Sequence, residues 1–125
     1  MDAHQTTKET VSRAIDEIKS IDGVIACALV TKTGIMMGKY FEDGSESARL
    51  VGVLCASILS SAEAVTSILQ IGLPSDVTVN SDTERVILMG AGDKVLLITV
   101  LKRSQDEQMK IGQLREISER IGSEW

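Results

Sequence analysis

The side chains that most often carry out chemistry in enzymes are scarce in this sequence and are not grouped together. The one histidine is His4, in a polar N-terminal segment, and the serines at Ser45, Ser57, Ser60 and Ser61 have no histidine beside them. A serine becomes a nucleophile when a base takes its proton, and a catalytic or metal-binding histidine must be held in fixed geometry. We therefore expect no catalytic residue, no bound metal and no enzymatic activity.

A glycine-rich segment, Gly34–Lys39, superficially resembles a phosphate-binding loop. That motif has four residues between its glycines and a Ser or Thr after its lysine. Here three residues separate Gly34 from Gly38, and Tyr40 follows the lysine. The segment also lies within a predicted hairpin, where its amides would bond to the neighbouring strand. We expect no bound nucleotide and no other cofactor.

The composition of the chain indicates which kinds of partner and which cellular compartment to expect. Net charge is −5, and one Trp, one Tyr and one Phe cannot build the stacking surface that nucleic acid needs. Cys27 and Cys55 lie in apolar runs without ligand spacing, as in core residues of a reducing compartment. The N-terminus has no apolar signal, and no segment has ~18 uninterrupted apolar residues. We expect a cytoplasmic protein that binds neither nucleic acid nor membrane.

The periodicity of apolar residues predicts eight elements in the order α-β-β-α-β-β-β-α. We expect helices over Thr7–Ser20, Glu46–Gln70 and the segment after Ser104, with Ser45 or Asp43 as the N-cap of the second helix. The predicted strands are Val24–Val30, Ile35–Phe41, Asp76–Ser81, Arg85–Met89 and Lys94–Leu101. The whole chain, 1–125, is then one α+β domain, with mobile tails at 1–6 and 122–125.

The strands differ in the faces that they bury. Val24–Val30 and Val95–Val100 are apolar on both faces, so both faces must be covered. Asp76–Ser81 alternates Val77 and Val79 with Thr78 and Asn80, which is typical of an edge strand with one buried face. The simplest packing places the long helix on one face of the sheet and the two terminal helices on the other.

The long helix has two apolar surfaces. One is a broad stripe that could cover the sheet: Leu50, Val51, Leu54, Cys55, Ile58, Ala62, Val65, Ile68 and Leu69. The other is a ridge of small residues every fourth position: Ala48, Gly52, Ala56, Ser60 and Ala64, with Leu59 and Glu63 beside it. Such a ridge permits close approach of another helix. Alternatively, the small residues tolerate packing against loops of the same chain.

We favour the first interpretation, in which the small-residue ridge and the edge strand form a contact surface for another subunit. A glycine in mid-helix costs ~1 kcal/mol relative to alanine, and a close contact at Gly52 would offset that cost. The predicted interface residues are Ala48, Gly52, Ala56, Leu59, Ser60, Glu63, Ala64, Val77, Thr78, Val79 and Asn80.

From Glu9 to Ile121 the sequence resembles the Roadblock family of dynein light-chain-like domains. The matching segments occur in order along the chain: Ile21–Val24, Thr31–Gly34, Arg85–Leu88 before Gly92 and Asp93, Val95–Ile98, and Ile111–Arg115. Each segment alone is a hydrophobic strand, a glycine turn or a helix, and the order of all of them carries the resemblance.

The resemblance implies a five-stranded antiparallel sheet between helices. It also implies that the edge strand and the long helix pair with a second copy or with a paralogue. Because members of this family look like platforms or regulators for small Ras-like GTPases, the resemblance implies a non-catalytic dimeric regulator or scaffold that binds such a GTPase. The long helix departs from the family in being rich in serine and alanine, so GTPase contacts are not assigned to residues. The alternative function is a small-ligand sensor of profilin-like architecture.

Overall fold

The computed structural model of the chain describes residues 3–43 and 47–124, with side-chain surroundings from Lys8 onward. The described elements follow the predicted order α-β-β-α-β-β-β-α, confirming the fold class. The helices and strands are α1 Ala3–Lys19, β1 Val24–Thr31, β2 Met36–Phe41, α2 Ala48–Leu69, β3 Val77–Asn80, β4 Glu84–Ala91, β5 Val95–Lys102 and α3 Glu107–Ser123.

The ends of the helices differ from the predicted bounds by a few residues. α1 begins at Ala3 instead of Thr7, because polar residues can extend a helix without adding apolar periodicity. α2 begins at Ala48, and the candidate N-cap Ser45 lies outside the described residues. Gly122 and Ser123, assigned from the sequence to a C-terminal tail, belong to the last turn of α3.

All five strands form one antiparallel sheet in the order β2-β1-β5-β4-β3. The two strands that are apolar on both faces, β1 and β5, are adjacent and occupy the middle of the sheet. β3, with its alternating pattern, lies at one edge as predicted. The hairpin β1–β2 places β2 at the opposite edge.

Helices cover both faces of the sheet and enclose two separate cores. α1 and α3 close the first core, around Cys27, Leu29, Leu97 and Leu114. α2 closes the second, which includes Ala28, Val30, Cys55, Ala56, Leu59, Leu88, Leu96 and Ile98. The expected placement of the long helix on one face and the terminal helices on the other is therefore confirmed.

Two ion pairs attach α3 to the part of the sheet that ends in β3. Arg115 Nη2 lies 2.7 Å from Asp76 Oδ2, just before β3. Arg85 Nε on β4 lies 3.1 Å from Oε2 of the buried Glu107. Glu107 Oε1 also accepts a 2.7 Å hydrogen bond from the Ser104 amide, an arrangement typical of helix N-termini. These contacts hold the edge strand against the body of the domain.

Candidate interaction surface

The first part of the small-residue ridge of α2, made of Ala48, Gly52 and Ala56, faces this chain's own sheet, which contradicts the assignment of these residues to an intermolecular surface. Ala48, Gly52, Ala56 and Leu59 are all buried, together with Cys55. Cys55, Ala56 and Leu59 belong to the second core, and Gly52 lies against Val30 and the β1–β2 hairpin, so this side of the helix is not available to another subunit.

Close approach explains why this face is built from small residues. A Cβ atom at Gly52 would lie 3.1 Å from Val30 Cγ1 and 3.5 Å from both the Gly34 carbonyl oxygen and Met36 Cε. Small side chains thus let α2 lie directly against β1 and the β1–β2 hairpin. For Ala48, Gly52 and Ala56, the close contact that the sequence predicted is therefore made with this chain's own sheet and not with a second subunit.

The large apolar residues that were expected to cover the sheet lie mostly on the opposite side of α2. Leu50, Leu54, Ile58, Val65, Ile68 and Leu69 are exposed by 39% to 81%. Of the predicted stripe, only Cys55 is buried, and Val51 and Ala62 are half-buried. The two faces of the helix are therefore interchanged relative to the prediction, and the uncovered face is the more hydrophobic one.

The other three predicted interface residues on α2, which include the ridge members Ser60 and Ala64, are not buried against the sheet, and their role in an interface stays a prediction. Ser60 and Ala64 are exposed beside the apolar face. Glu63 is half-buried, and its Oε2 lies 3.4 Å from Lys32 Nζ at the end of β1. This carboxylate is thus paired within the chain.

Further apolar residues extend the exposed surface beyond the predicted set. Val53 on α2 is 49% exposed, and Ile71 and Leu73 in the loop after α2 are 69% and 74% exposed. Ile35, at the hairpin beside the start of α2, is also exposed. A usable signal was present in the sequence, because α2 carries more large apolar residues than one sheet face can cover. We call the exposed residues Leu50, Val53, Leu54, Ile58, Val65, Ile68, Leu69, Ile71 and Leu73 the α2 apolar face.

β3 presents the free sheet edge nearest to the end of α2. The Ser81 amide donates to the Glu84 carbonyl, so by the alternation of an antiparallel ladder Val77 and Val79 face β4 with their backbone groups. The N–H and C=O groups of Thr78 and Asn80 then point away from the sheet. Val79 is 45% exposed, on the same face of the sheet as α2. No residue of β3 carries a charge that would oppose another strand.

The opposite edge of the sheet is less suited to pairing. β2 has an irregularity where Leu29 and Val30 pair with Gly38 and Met36, leaving Met37 as an extra residue. The exposed Lys39 lies on this strand as well. Bulges and lysines at an edge both discourage the addition of another strand. Of the two edges, β3 is therefore the better template.

α2 is also long and apolar enough to cross a membrane, as judged by length and composition alone. It has 22 residues and a mean hydropathy of 1.6. In its most apolar 18-residue window, 22% of the residues are buried. The ridge that includes Gly52 and Leu59 packs on the sheet, so the helix already has one protein neighbour. Its high hydropathy arises from the sum of this buried ridge and the α2 apolar face.

The groups able to perform chemistry remain dispersed. Over residues 3–43 and 47–124, no group of three or more His, Cys, Asp or Glu side chains is arranged to hold a metal ion. Burial raises the pKa of the Cys27 thiol to about 12, against a smaller opposing effect of Lys19, and burial also raises the pKa of Cys55. Both thiols are therefore neutral at physiological pH and unsuited to nucleophilic attack.

The sequence of this chain matches the sequence model of a known protein family. A sequence model described as "Roadblock/LC7 domain" matches residues 10–102. The matched region begins in α1 and ends with β5, so it includes the whole sheet and α2. No curated protein matches the chain by sequence.

Solved structures with the same fold include several proteins named MglB. Myxococcus xanthus MglB has a TM-score of 0.79 at 9% identity, with 98% of this chain and 90% of that chain covered. The gliding protein MglB from Thermus thermophilus has a TM-score of 0.78 at 14% identity, with 100% and 95% covered. A structure described as MglB with tetrameric arrangement has a TM-score of 0.78 at 15% identity, with 99% and 93% covered. At these identities the likeness shows a shared fold.

Proposed function

Because this chain belongs to the Roadblock/LC7 domain family, we propose that it is a non-catalytic regulator or scaffold that acts as a pair of subunits. The second subunit is another copy of the chain or a paralogue. The pair presents a composite surface to a small Ras-like GTPase. The observation that carries the proposal is the α2 apolar face, which lies uncovered beside the free edge of β3.

Exposure on this scale needs a partner. Nine large apolar side chains of the α2 apolar face are each at least 39% exposed. Soluble monomers seldom leave a continuous apolar surface of more than a few hundred Å² in water, and larger ones mark interaction sites. The exposed side of α2 also has few charges, since Arg49 is the only basic residue of the helix and Glu63 is paired with Lys32.

A second subunit would cover both the free edge of β3 and the α2 apolar face. A strand added at β3 would bond to the outward backbone groups of Thr78 and Asn80. It would also bring its own α2 next to this one, because α2 contacts β3 in the same domain. An isologous contact of this kind is self-complementary by symmetry. One association thus covers the edge and the apolar face at once.

The proposal of a GTPase partner rests on the family resemblance. The resemblance to Roadblock domains implies a platform for small Ras-like GTPases. The MglB structure with tetrameric arrangement is an assembly of a protein with this fold, which supports association of such domains.

Substitution on the α2 apolar face tests the pairing. We expect Leu54→Lys to convert a dimer to monomers, because a lysine in the centre of an apolar contact must lose its hydration. Leu54 is 54% exposed, so the domain itself should remain folded. Molar mass from multi-angle light scattering and the circular dichroism spectrum measure the two properties.

Gln113→Lys is the matched control, since it adds the same charge at an exposed site on α3. It should leave the dimer intact. A wild-type chain that is monomeric at high concentration would contradict the pairing. If it instead sediments with vesicles of neutral lipid and Leu54→Lys does not, the occupant of the α2 apolar face is a membrane.

The GTPase is tested separately with candidate small GTPases from the same genome. We expect one of them, in a defined nucleotide state, to form a complex with the paired chain and to change its rate of GTP hydrolysis or its location. Size-exclusion chromatography and release of inorganic phosphate provide the measurements. The absence of a complex with every candidate would overturn the GTPase part of the proposal and leave the pairing intact.

A further inference from the structure

A cleft of ≈ 550 Å³ lies at the end of the sheet where β1 begins and β5 ends. Its walls come from the turn between α1 and β1, the first residues of β1, Glu42 just after β2, the segment 102–104 at the end of β5, and Lys110 near the start of α3. The cleft is lined by no residue of the α2 apolar face and by none of β3, so it is separate from the proposed pairing surface. Its basic lining residues are Lys19, Lys102, Arg103 and Lys110.

Lys110 is the unusual member of this group because its charge is buried. Its side chain is only 7% exposed, and Nζ lies 3.2 Å from the position that a Cβ atom of Gly23 would occupy. Gly23 therefore places no side chain over the ammonium group. Burial of a lysine charge is costly unless polar groups compensate for it.

The partners that the structure shows for Lys110 do not use all the hydrogen-bond donors of its ammonium group. Nζ lies 3.2 Å from Asp106 Oδ1 and 3.5 Å from Ser104 Oγ. Asp106 is half-exposed, and its Oδ1 also accepts a 2.6 Å hydrogen bond from Ser104. An ammonium group has three N–H donors, and these contacts occupy two of them. One donor remains for an acceptor that enters the cleft.

Two more cations lie at the mouth of the cleft without an ion-pair partner in the part of the chain that the structure describes. They are Lys102, the last residue of β5, and Arg103. Arg103 Nη1 donates one hydrogen bond, of 3.4 Å, to the Ser81 carbonyl oxygen, which leaves most of its donors free. The carboxylates in the lining are Asp22 and Glu42, and Asp16 and Asp106 pair with Lys19 and Lys110. Among the described residues, Lys102 and Arg103 therefore supply the unpaired positive charge of the cleft.

The arrangement favours a ligand with several negatively charged oxygens. A carboxylate offers two oxygens in one plane, whereas a phosphate group offers three or four in a tetrahedron. Lys110 reaches the cleft from α3, and Lys102 and Arg103 reach it from the end of β5. Cations that converge from different elements suit the tetrahedral group better than the planar one.

We propose that this cleft is a binding site for a phosphate group, held by Lys110 in its interior and by Lys102 and Arg103 at its mouth. The phosphate is either the free ion or a phosphate monoester of a small molecule. The cleft is accessible on the single domain, so the site does not depend on the proposed dimer or on a GTPase.

The test is a titration of the full chain with inorganic phosphate, and with acetate and chloride at matched ionic strength. We expect saturable shifts of the Gly23, Ser104 and Lys110 amide resonances with phosphate alone. Lys110→Met keeps the length of the side chain and removes its charge, and it should weaken phosphate binding at least tenfold. Lys94→Met removes an exposed lysine just before β5, at the opposite end of that strand, and should bind phosphate like the wild type.

A second variant keeps the test decisive if Lys110→Met does not fold. The double variant Lys102→Gln and Arg103→Gln changes only exposed side chains and should also weaken binding. Glycerol phosphate distinguishes the two sources, since binding tighter than that of inorganic phosphate identifies a monoester. Equal shifts with chloride, or equal phosphate affinity in the Lys110→Met and Lys94→Met variants, would overturn the proposal.

Discussion

The thiol of Cys27 is buried in the core that β1 shares with α1 and α3. The unfolded thiol ionises near its ordinary pKa of 9.0, whereas burial keeps the folded thiol protonated up to a pKa of about 12. The unfolded state therefore loses its proton first as pH rises. The stability that the neutral thiol contributes is complete below pH 9 and is lost between pH 9 and 12.

We expect a thiol-specific disulfide reagent to react with native protein at pH 8 only as fast as the chain opens. Both cysteines are buried, so two equivalents should react rapidly after unfolding in guanidinium chloride. The absorbance of the released thiolate gives both rates. In chemical denaturation from pH 8 to 11, Cys27→Ala should lose less stability with rising pH than the wild type. Rapid reaction of native Cys27 would contradict its burial.

At the level of single residues, the sequence showed which positions of α2 need close contact but not what they touch. Gly52 and Ala56 are small because a neighbouring surface lies within van der Waals distance. A sheet and a second helix impose the same requirement on side-chain size. The identity of the neighbour depends on how α2 is rotated about its axis, which small residues alone do not determine.

α3 contains two glycines in very different surroundings. A Cβ atom at Gly122 would lie 2.6 Å from the Gly92 nitrogen and 3.0 Å from the Ala91 carbonyl carbon, both in the backbone of the β4–β5 hairpin. A Cβ atom at Gly112 would meet nothing within 4 Å. The two positions therefore separate the effect of close packing from that of helix propensity.

We expect Gly122→Ala to destabilise the domain by ~1–3 kcal/mol, because the hairpin backbone must move to admit the methyl group. Gly112→Ala should stabilise it by up to ~1 kcal/mol through helix propensity. Urea denaturation followed by circular dichroism measures both free energies of unfolding. Equal effects of the two substitutions would show that the C-terminal turn of α3 does not pack on the hairpin.

The eight elements were predictable because each has its own apolar period and is bounded by turn residues such as Gly23, Gly72 and Gly92. β1 and β5 could be placed in the centre because both of their faces are apolar. The orientation of α2 was not predictable in the same way, since apolar residues lie on both of its sides. Large side chains were assigned to the sheet, but the short distance between α2 and β1 favours small ones.

For the whole molecule, pairing through the α2 apolar face makes stability depend on protein concentration. Association of folded chains removes folded monomer from the unfolding equilibrium by mass action. We expect the thermal midpoint to rise over a hundredfold increase in concentration for the wild type. It should stay constant for Leu54→Lys, and differential scanning calorimetry measures both. A constant midpoint in the wild type would argue against a dimer in this range.

The two edges of the sheet also determine how far assembly can continue. If β3 strands join two sheets, the resulting ten-stranded sheet has only β2 strands at its ends. Each of those ends has the irregular pairing at Met37 and the exposed Lys39, features that discourage further strands. Growth by strand addition should then stop at two chains, which protects a protein with a large exposed apolar helix face from forming fibres.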